Sequence, residues 1–128
     1  MSLIYVIAAA TINFILGGVW YLLFKKEWIK AWGLSEGQLK DHDPKPYLIA
    51  FIGSLWTSYG LFVLLKHLQP KNLEELLTIA VGTWILILVG LGAKHYAFAR
   101  VKGKAFIIDY GLDLVGLIVM SFIINEAI

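Results

Sequence analysis

Residues 3–24 read Leu-Ile-Tyr-Val-Ile-Ala-Ala-Ala-Thr-Ile-Asn-Phe-Ile-Leu-Gly-Gly-Val-Trp-Tyr-Leu-Leu-Phe, 22 residues without a charge. A helix needs about 20 mostly apolar residues to cross the hydrocarbon core of a bilayer. Three more runs of this kind occur: Tyr47–Leu65 (19 residues), Leu76–Ala93 (18) and Ala105–Ile124 (20). Only the last is charged, at Asp109 and Asp113. Backbone polar groups must be satisfied internally in lipid, so each run is expected to be helical. The predicted fold is all-α, an integral membrane antiparallel four-helix bundle. It forms a single domain over 1–128, with spans near 3–24, 46–68, 73–96 and 104–125.

Hydrophobic residues make up 59% of the chain and charged residues 16%, a balance shifted well toward apolar residues relative to a soluble domain. The loops are too short to hold a soluble catalytic or binding domain, so function is expected in the bundle, its loops or its lipid-facing surface. There is no cysteine, which excludes disulfides, thiolate metal sites and cysteine nucleophiles. The N-terminal Met1-Ser2-Leu3 has no basic stretch, and the apolar run continues well past Ala8-Ala9-Ala10. The first span is therefore expected to stay as an uncleaved anchor.

Local signals mark the ends of the helices. After Lys25-Lys26-Glu27 an amphipathic continuation carries Trp28, Ile29 and Trp32, and Gly33 is expected to end it. Ser35 with Gln38 suggests a capped short helix in the first loop. Pro46 suits the first turn of the second span, and Pro70 comes just past its end. Asn72 with Glu75 is a cap pattern for the third span. Gly103 separates the third span from the fourth.

The basic residues are distributed unevenly. The first loop has Lys25, Lys26, Lys30, Lys40 and Lys45, and the third has Lys94, Arg100, Lys102 and Lys104. The middle loop has only Lys66 and Lys71. By the positive-inside rule, loops 25–45 and 94–104 are expected in the cytoplasm and both termini outside. The same placement argues for membrane topology and against nucleic-acid binding. Trp20, Tyr21, Phe24, Trp28, Trp32, Tyr47, Phe51, Tyr96, Phe98, Phe106 and Tyr110 gather at the same ends, as an interfacial belt that anchors helices and needs no ligand.

Inside the apolar runs, small and polar residues recur at helical spacing. The stripes are Asn13, Gly17 and Trp20 on the first span and Gly53, Thr57 and Gly60 on the second, flanked by Ser54 and Ser58. Thr83 and Gly90 mark the third, and Asp109, Asp113 and Gly116 the fourth. Membrane helices associate through small residues and interhelical hydrogen bonds, so the stripes are expected to face one another. A rise of about 1.5 Å per residue puts Asn13, Thr57, Thr83 and Asp113 near the midplane as one polar layer. Trp20, His95 and Asp109 form a second group toward the cytoplasmic end, as a relay or as packing. An acid near the bilayer centre costs roughly 2.5–3.5 kcal/mol to insert and is functional by default. Asp113 is expected to be either protonated and bonded to Asn13 or Thr57, or bound to a cation. The same residues would equally serve as glue between helices. Asp109 could also pair with Lys94, Arg100, Lys104 or His95 and merely fix the loop.

Asp109, Asp113 and His95 are too few for a metal site, and no nucleophile-and-base pattern or phosphate loop occurs. Neither an enzyme nor a cofactor is expected.

Three segments in order resemble the membrane family known as domain of unknown function 1761. They are Asn13-Phe14-x-x-Gly17-x-x-Trp20-Tyr21, then Trp28…Trp32-Gly33-Leu34-Ser35, then Ile108-Asp109-x-Gly111. The resemblance implies a small four-span protein, chiefly prokaryotic and so of the cytoplasmic membrane, and it carries no activity. It also implies that Asn13, Gly17, Trp20 and Asp109 are recurrent, whereas the position of Asp113 often holds another polar residue such as His.

Three functions are compatible with these features. One is a proton- or cation-conducting pore or transporter using the polar layer. Another is an accessory protein that packs with itself or with a partner. The third is a binder of a lipid or small hydrophobic ligand. Beyond the lipid bilayer, the expected partner is a second copy, as a dimer, packed through Ser54-x-x-x-Ser58.

Overall fold

The computed structural model describes residues 2–35 and 43–128. All regular structure among them is helical. The expected pairing of Ser35 with Gln38 lies partly outside the described residues.

The first span is α1, Ser2–Leu23. Phe24 leaves helical geometry, and the chain resumes as α2, Lys25–Trp32. Gly33 ends α2 in the left-handed conformation at φ 72°, a region that costs glycine nothing. Gly33 N–H donates to the Lys30 carbonyl and Leu34 N–H to the Ile29 carbonyl. That pair of bonds is a Schellman motif.

The second span is α3, Lys45–Leu68, with Pro46 in its first turn. It stops at Gln69, which takes a left-handed φ of 46° just before Pro70. The third span is α4, Leu73–Phe98. Asn72 caps it: the side-chain oxygen accepts from Glu75 N–H at 2.8 Å. Glu74 and Glu75 in the first turn add favourable charge at the positive end of the helix dipole. The fourth span is α5, Gly103–Asn125. All four spans are long and apolar enough to cross a membrane. At 22–26 residues, they extend about 33–39 Å.

Consecutive spans run antiparallel, and α5 is the helix on which the others assemble. It packs against α1, α2, α3 and α4, whereas α1 and α4 make no extensive contact with each other. Burial agrees, with 39% of the apolar window of α5 covered against 17–22% for the other spans. Toward the chain termini the core is Ala9, Leu61, Leu65, Leu76, Leu117, Met120 and Ile124. Large side chains such as Trp56 and Leu86 face outward, as expected where lipid is the solvent.

The sequence pattern does not signal a π-helical turn at Trp84–Leu88 within α4. Its i→i+5 bonding adds a residue to the turn and rotates the remainder of the helix about its axis. Trp84 Nε1–H reaches the Tyr110 carbonyl of α5 at 2.8 Å. One turn beyond the bulge, Gly92 meets the ring of Tyr110 so closely that a Cβ there would lie 2.0 Å from it. This rotation corrects the expected stripe of α4. Gly90 has open space around it and Gly92 makes the contact. Thr83 bonds the Ile79 carbonyl of its own helix.

A similar shift of one residue corrects α3. Ser54 and Ser58 are buried, while Gly53, Thr57 and Gly60 face outward. Ser58 Oγ–H donates to the Val6 carbonyl at 2.8 Å, and Ser54 Oγ accepts from the Asn13 amide at 2.9 Å. Both serines join α3 to α1, so the expected dimer face is used inside the chain.

Candidate functional site

The carboxylate of Asp109 is the most heavily bonded side chain among the described residues. Its Oδ1 accepts from the Tyr21 hydroxyl at 2.5 Å and from Trp28 Nε1–H at 2.8 Å. Its Oδ2 accepts from the Tyr96 hydroxyl at 2.6 Å and from Trp32 Nε1–H at 3.2 Å. A carboxylate offers about four lone-pair sites, and here all are filled by neutral donors. No salt bridge to Asp109 exists among the described residues, and the expected partners Lys94, Arg100, Lys104 and His95 do not reach it.

Each donor is placed by its own element. Tyr21 is on the last turn of α1. Trp28 and Trp32 are one turn apart on α2, so both indoles point the same way. Tyr96 comes from α4, turned inward by the π turn. The rings also pack on each other. Tyr21 meets Trp28 at 5.4 Å, Trp28 meets Trp32 at 6.1 Å and Trp32 meets Tyr96 at 5.3 Å. Tyr96 then meets Phe106 at 5.3 Å, and Phe106 stacks on Tyr110 at 4.5 Å. Such ring pairs add about 0.5–1.5 kcal/mol each beyond burial. A hydrogen bond to a charged acceptor contributes about 1.5–3 kcal/mol. Asp109 therefore fastens α1, α2 and α4 to α5 at one point.

Trp20 supports the same point from α1. Its Nε1–H donates to the Ile108 carbonyl at 2.9 Å, and its ring lies over Gly111, 3.3 Å from where a Cβ would be. Trp20 is thus a packing residue. His95 is exposed, and its ring has no hydrogen-bond partner among the described residues. One residue along a helix is a turn of about 100°, so with Tyr96 directed at Asp109 its neighbour points away.

The expected midplane layer of Asn13, Thr57, Thr83 and Asp113 does not assemble. Asn13 bonds Ser54 and lies against Gly116, whose missing Cβ would stand 2.2 Å from the Asn13 side-chain oxygen. Thr57 faces outward and Thr83 bonds its own helix. Asp113 stands one turn beyond Asp109, close enough to Tyr21, Tyr96 and Tyr110 to act on them electrostatically. Yet the residue is exposed, and its carboxyl group has no hydrogen-bond partner among the described residues. It lies on an exposed part of α5, the helix against which α1 and α4 both pack without extensive contact with each other. The two acids, alike in the sequence, differ in their hydrogen bonding.

The segments Asn13–Tyr21, Trp28–Ser35 and Ile108–Gly111 converge in this arrangement. The first and second supply the rings and the third supplies the carboxylate. The family model described as protein of unknown function (DUF1761) matches residues 4–125. The chain belongs to that family. No curated protein and no solved structure matches it. Family membership thus agrees with the resemblance seen in the three segments and adds no activity to it.

In the sequence, Tyr21, Trp28, Trp32 and Tyr96 are members of a general aromatic belt. Much of that belt is only a belt: Tyr47 and Phe98 are 69% and 85% exposed. The spacing Trp28-x-x-x-Trp32 on a short amphipathic helix is the available signal that two indole N–H groups share one target. Among the described residues, no group of three acids and histidines is arranged to hold a metal.

Proposed function

We propose that this protein is a non-catalytic accessory protein of the membrane, built to dock another membrane segment against the exposed part of α5 at Asp113. The observation that carries the reading is the contrast between its two acids. Asp109 has four donors and a structural task. Asp113, a turn deeper, is an exposed residue whose carboxyl group has no hydrogen bond among the described residues, at a depth where an unpaired acid costs a few kcal/mol. A partner offering a hydroxyl, amide or cationic group would relieve that cost, and the Trp28 and Trp32 bonds to Asp109 would keep the neighbouring helices in place. The packing at Asn13, Ser54 and Gly116 supports this reading over a pore, because it fills the space where a path through the midplane layer would run.

In this reading the partner side also includes a second copy. The outward face of α3 presents Gly53, Thr57 and Gly60, with open space around both glycines. Small residues of this kind let helices approach closely in lipid. The basic loops 25–45 and 94–104 lie in the cytoplasm and both termini outside, on the lysine and arginine count.

Crosslinking in native membranes tests the docking proposal. The Asp113→Leu chain should lose its crosslinked partner bands while keeping the melting temperature of the parent in detergent. Unchanged bands would refute docking at Asp113. Ion flux in proteoliposomes that vanishes in Asp113→Asn would favour the pore instead.

A further inference from the structure

Four lysines from two separate elements line one cleft at the basic end of the molecule. Lys26 and Lys30 come from α2, and Lys102 and Lys104 from the start of α5. Glu27 is the one acid on its rim, and buried Ala31 forms the floor. The cleft has a volume of about 290 Å³. None of the four ammonium groups has an ion pair among the described residues. Four lysines line this cleft with Glu27 as the one acid among the described lining residues, and such an arrangement attracts an anion of more than one charge or one held by further contacts.

We infer that this cleft is a binding site for the phosphate head group of an anionic glycerophospholipid. The surroundings favour a lipid over a free anion. Lys104 is at the head of a membrane span, and Ile107, three residues on and so on the same face, is 69% exposed. An acyl chain attached to a phosphate in the cleft would run down over Ile107. On the other side, α2 is held against α5 by the Trp28 and Trp32 bonds to Asp109, so Lys26 and Lys30 are presented from a fixed helix. In a bilayer their long apolar stems would lie along the interface with the charges at the head-group level. The positive-inside rule accounts for lysines on this side of the membrane, but it does not require four of them around one cavity. A polybasic surface gains affinity for anionic lipid with each lysine, about fivefold per charge.

The test uses the full chain in detergent. It is titrated with phosphatidylglycerol, phosphatidylcholine or inorganic phosphate, and lipid occupancy is read by native mass spectrometry. Phosphatidylglycerol should bind more tightly than phosphatidylcholine by a factor well above the roughly fivefold of a single lysine. The combined substitution Lys26→Gln, Lys30→Gln, Lys102→Gln and Lys104→Gln should bring the two lipids level. Lys30→Gln alone should weaken phosphatidylglycerol binding by about fivefold, and it serves as the test if circular dichroism shows the combined variant to be misfolded. Glu27→Gln should strengthen binding, and Lys71→Gln, at the opposite end, should leave it unchanged. A lipid preference that survives the lysine substitutions would overturn the assignment, as would equal binding of both lipids by the parent chain. Inorganic phosphate that competes as well as phosphatidylglycerol would make this a free-anion site and would likewise overturn it.

Discussion

The side-chain oxygen of Asn13 occupies the space that a Cβ on residue 116 would need, 2.2 Å away. Gly116 therefore lets α1 and α5 approach closely enough for Asn13 to reach across to Ser54. Gly116→Ala should displace the Asn13 carboxamide, break its 2.9 Å bond to Ser54 and destabilise the chain by about 1–3 kcal/mol. Gly17→Ala is the control. Its new methyl would meet only a Leu112 methyl group at 3.7 Å, an ordinary contact. Melting monitored by circular dichroism in detergent should separate the two variants, and equal melting temperatures would contradict this packing.

Gly92 and Tyr110 form a second close pair, created by the π turn of α4. Gly92→Ala should force the Tyr110 ring off Phe106, whose centroid lies 4.5 Å away, at a cost of about 1–3 kcal/mol. Tyr110→Ala on its own should also destabilise. Combined with Gly92→Ala it should cost less than the two separate losses together, because the methyl then has room. Additive losses in this double-mutant cycle would show that the two residues do not meet.

Self-association through the outer face of α3 gives opposite results for two adjacent residues. The native chain has no cysteine, so single cysteines report cleanly. Thr57→Cys should form a disulfide-linked dimer in native membranes. Ser58→Cys should not, because its side chain is buried against Val6. A dimer through position 58, or none through position 57, would contradict the proposed face.

Orientation is open to the same approach. Asn72 caps α4 and should be left intact, so Lys71→Cys is the better reporter for the middle loop. With Ser35→Cys protected from an impermeant thiol reagent and Lys71→Cys labelled, the first loop is cytoplasmic. The reverse pattern would invert the molecule.

The four spans are legible in the sequence because lipid imposes a length and a polarity on any helix that crosses it, and no tertiary contact alters that demand. Helix ends at Gly33, Pro46 and Asn72 are legible for local reasons: a left-handed turn, a fixed φ and a side-chain cap. The facing of each helix is less so. On α3, Ser54 and Thr57 offer similar small polar groups about 60° apart around the axis, and only the Asn13 amide and the Val6 carbonyl on a different helix select the serines. On α4, a π turn with no sequence signature shifts every later residue, exchanging Gly90 for Gly92. The difference between Asp109 and Asp113 is hidden for a related reason. Both lie on one face of α5, but α2 and the Tyr96 turn of α4 reach only the first.

In the proposed function the two acids have different tasks, Asp109 holding the helices together and Asp113 meeting a partner. The direct measurement is the melting temperature of Asp109→Asn beside that of Asp113→Asn, each as the full chain in detergent. An asparagine at 109 presents an NH2 group to donors that need an acceptor, so about 1–3 kcal/mol should be lost where a donor is left unpaired, and melting should fall by about 5 °C. Red-shifted tryptophan emission should accompany that fall as Trp28 and Trp32 come away from α5. Asp113→Asn should melt with the parent chain. A parent-like Asp109→Asn together with a destabilised Asp113→Asn would contradict the account.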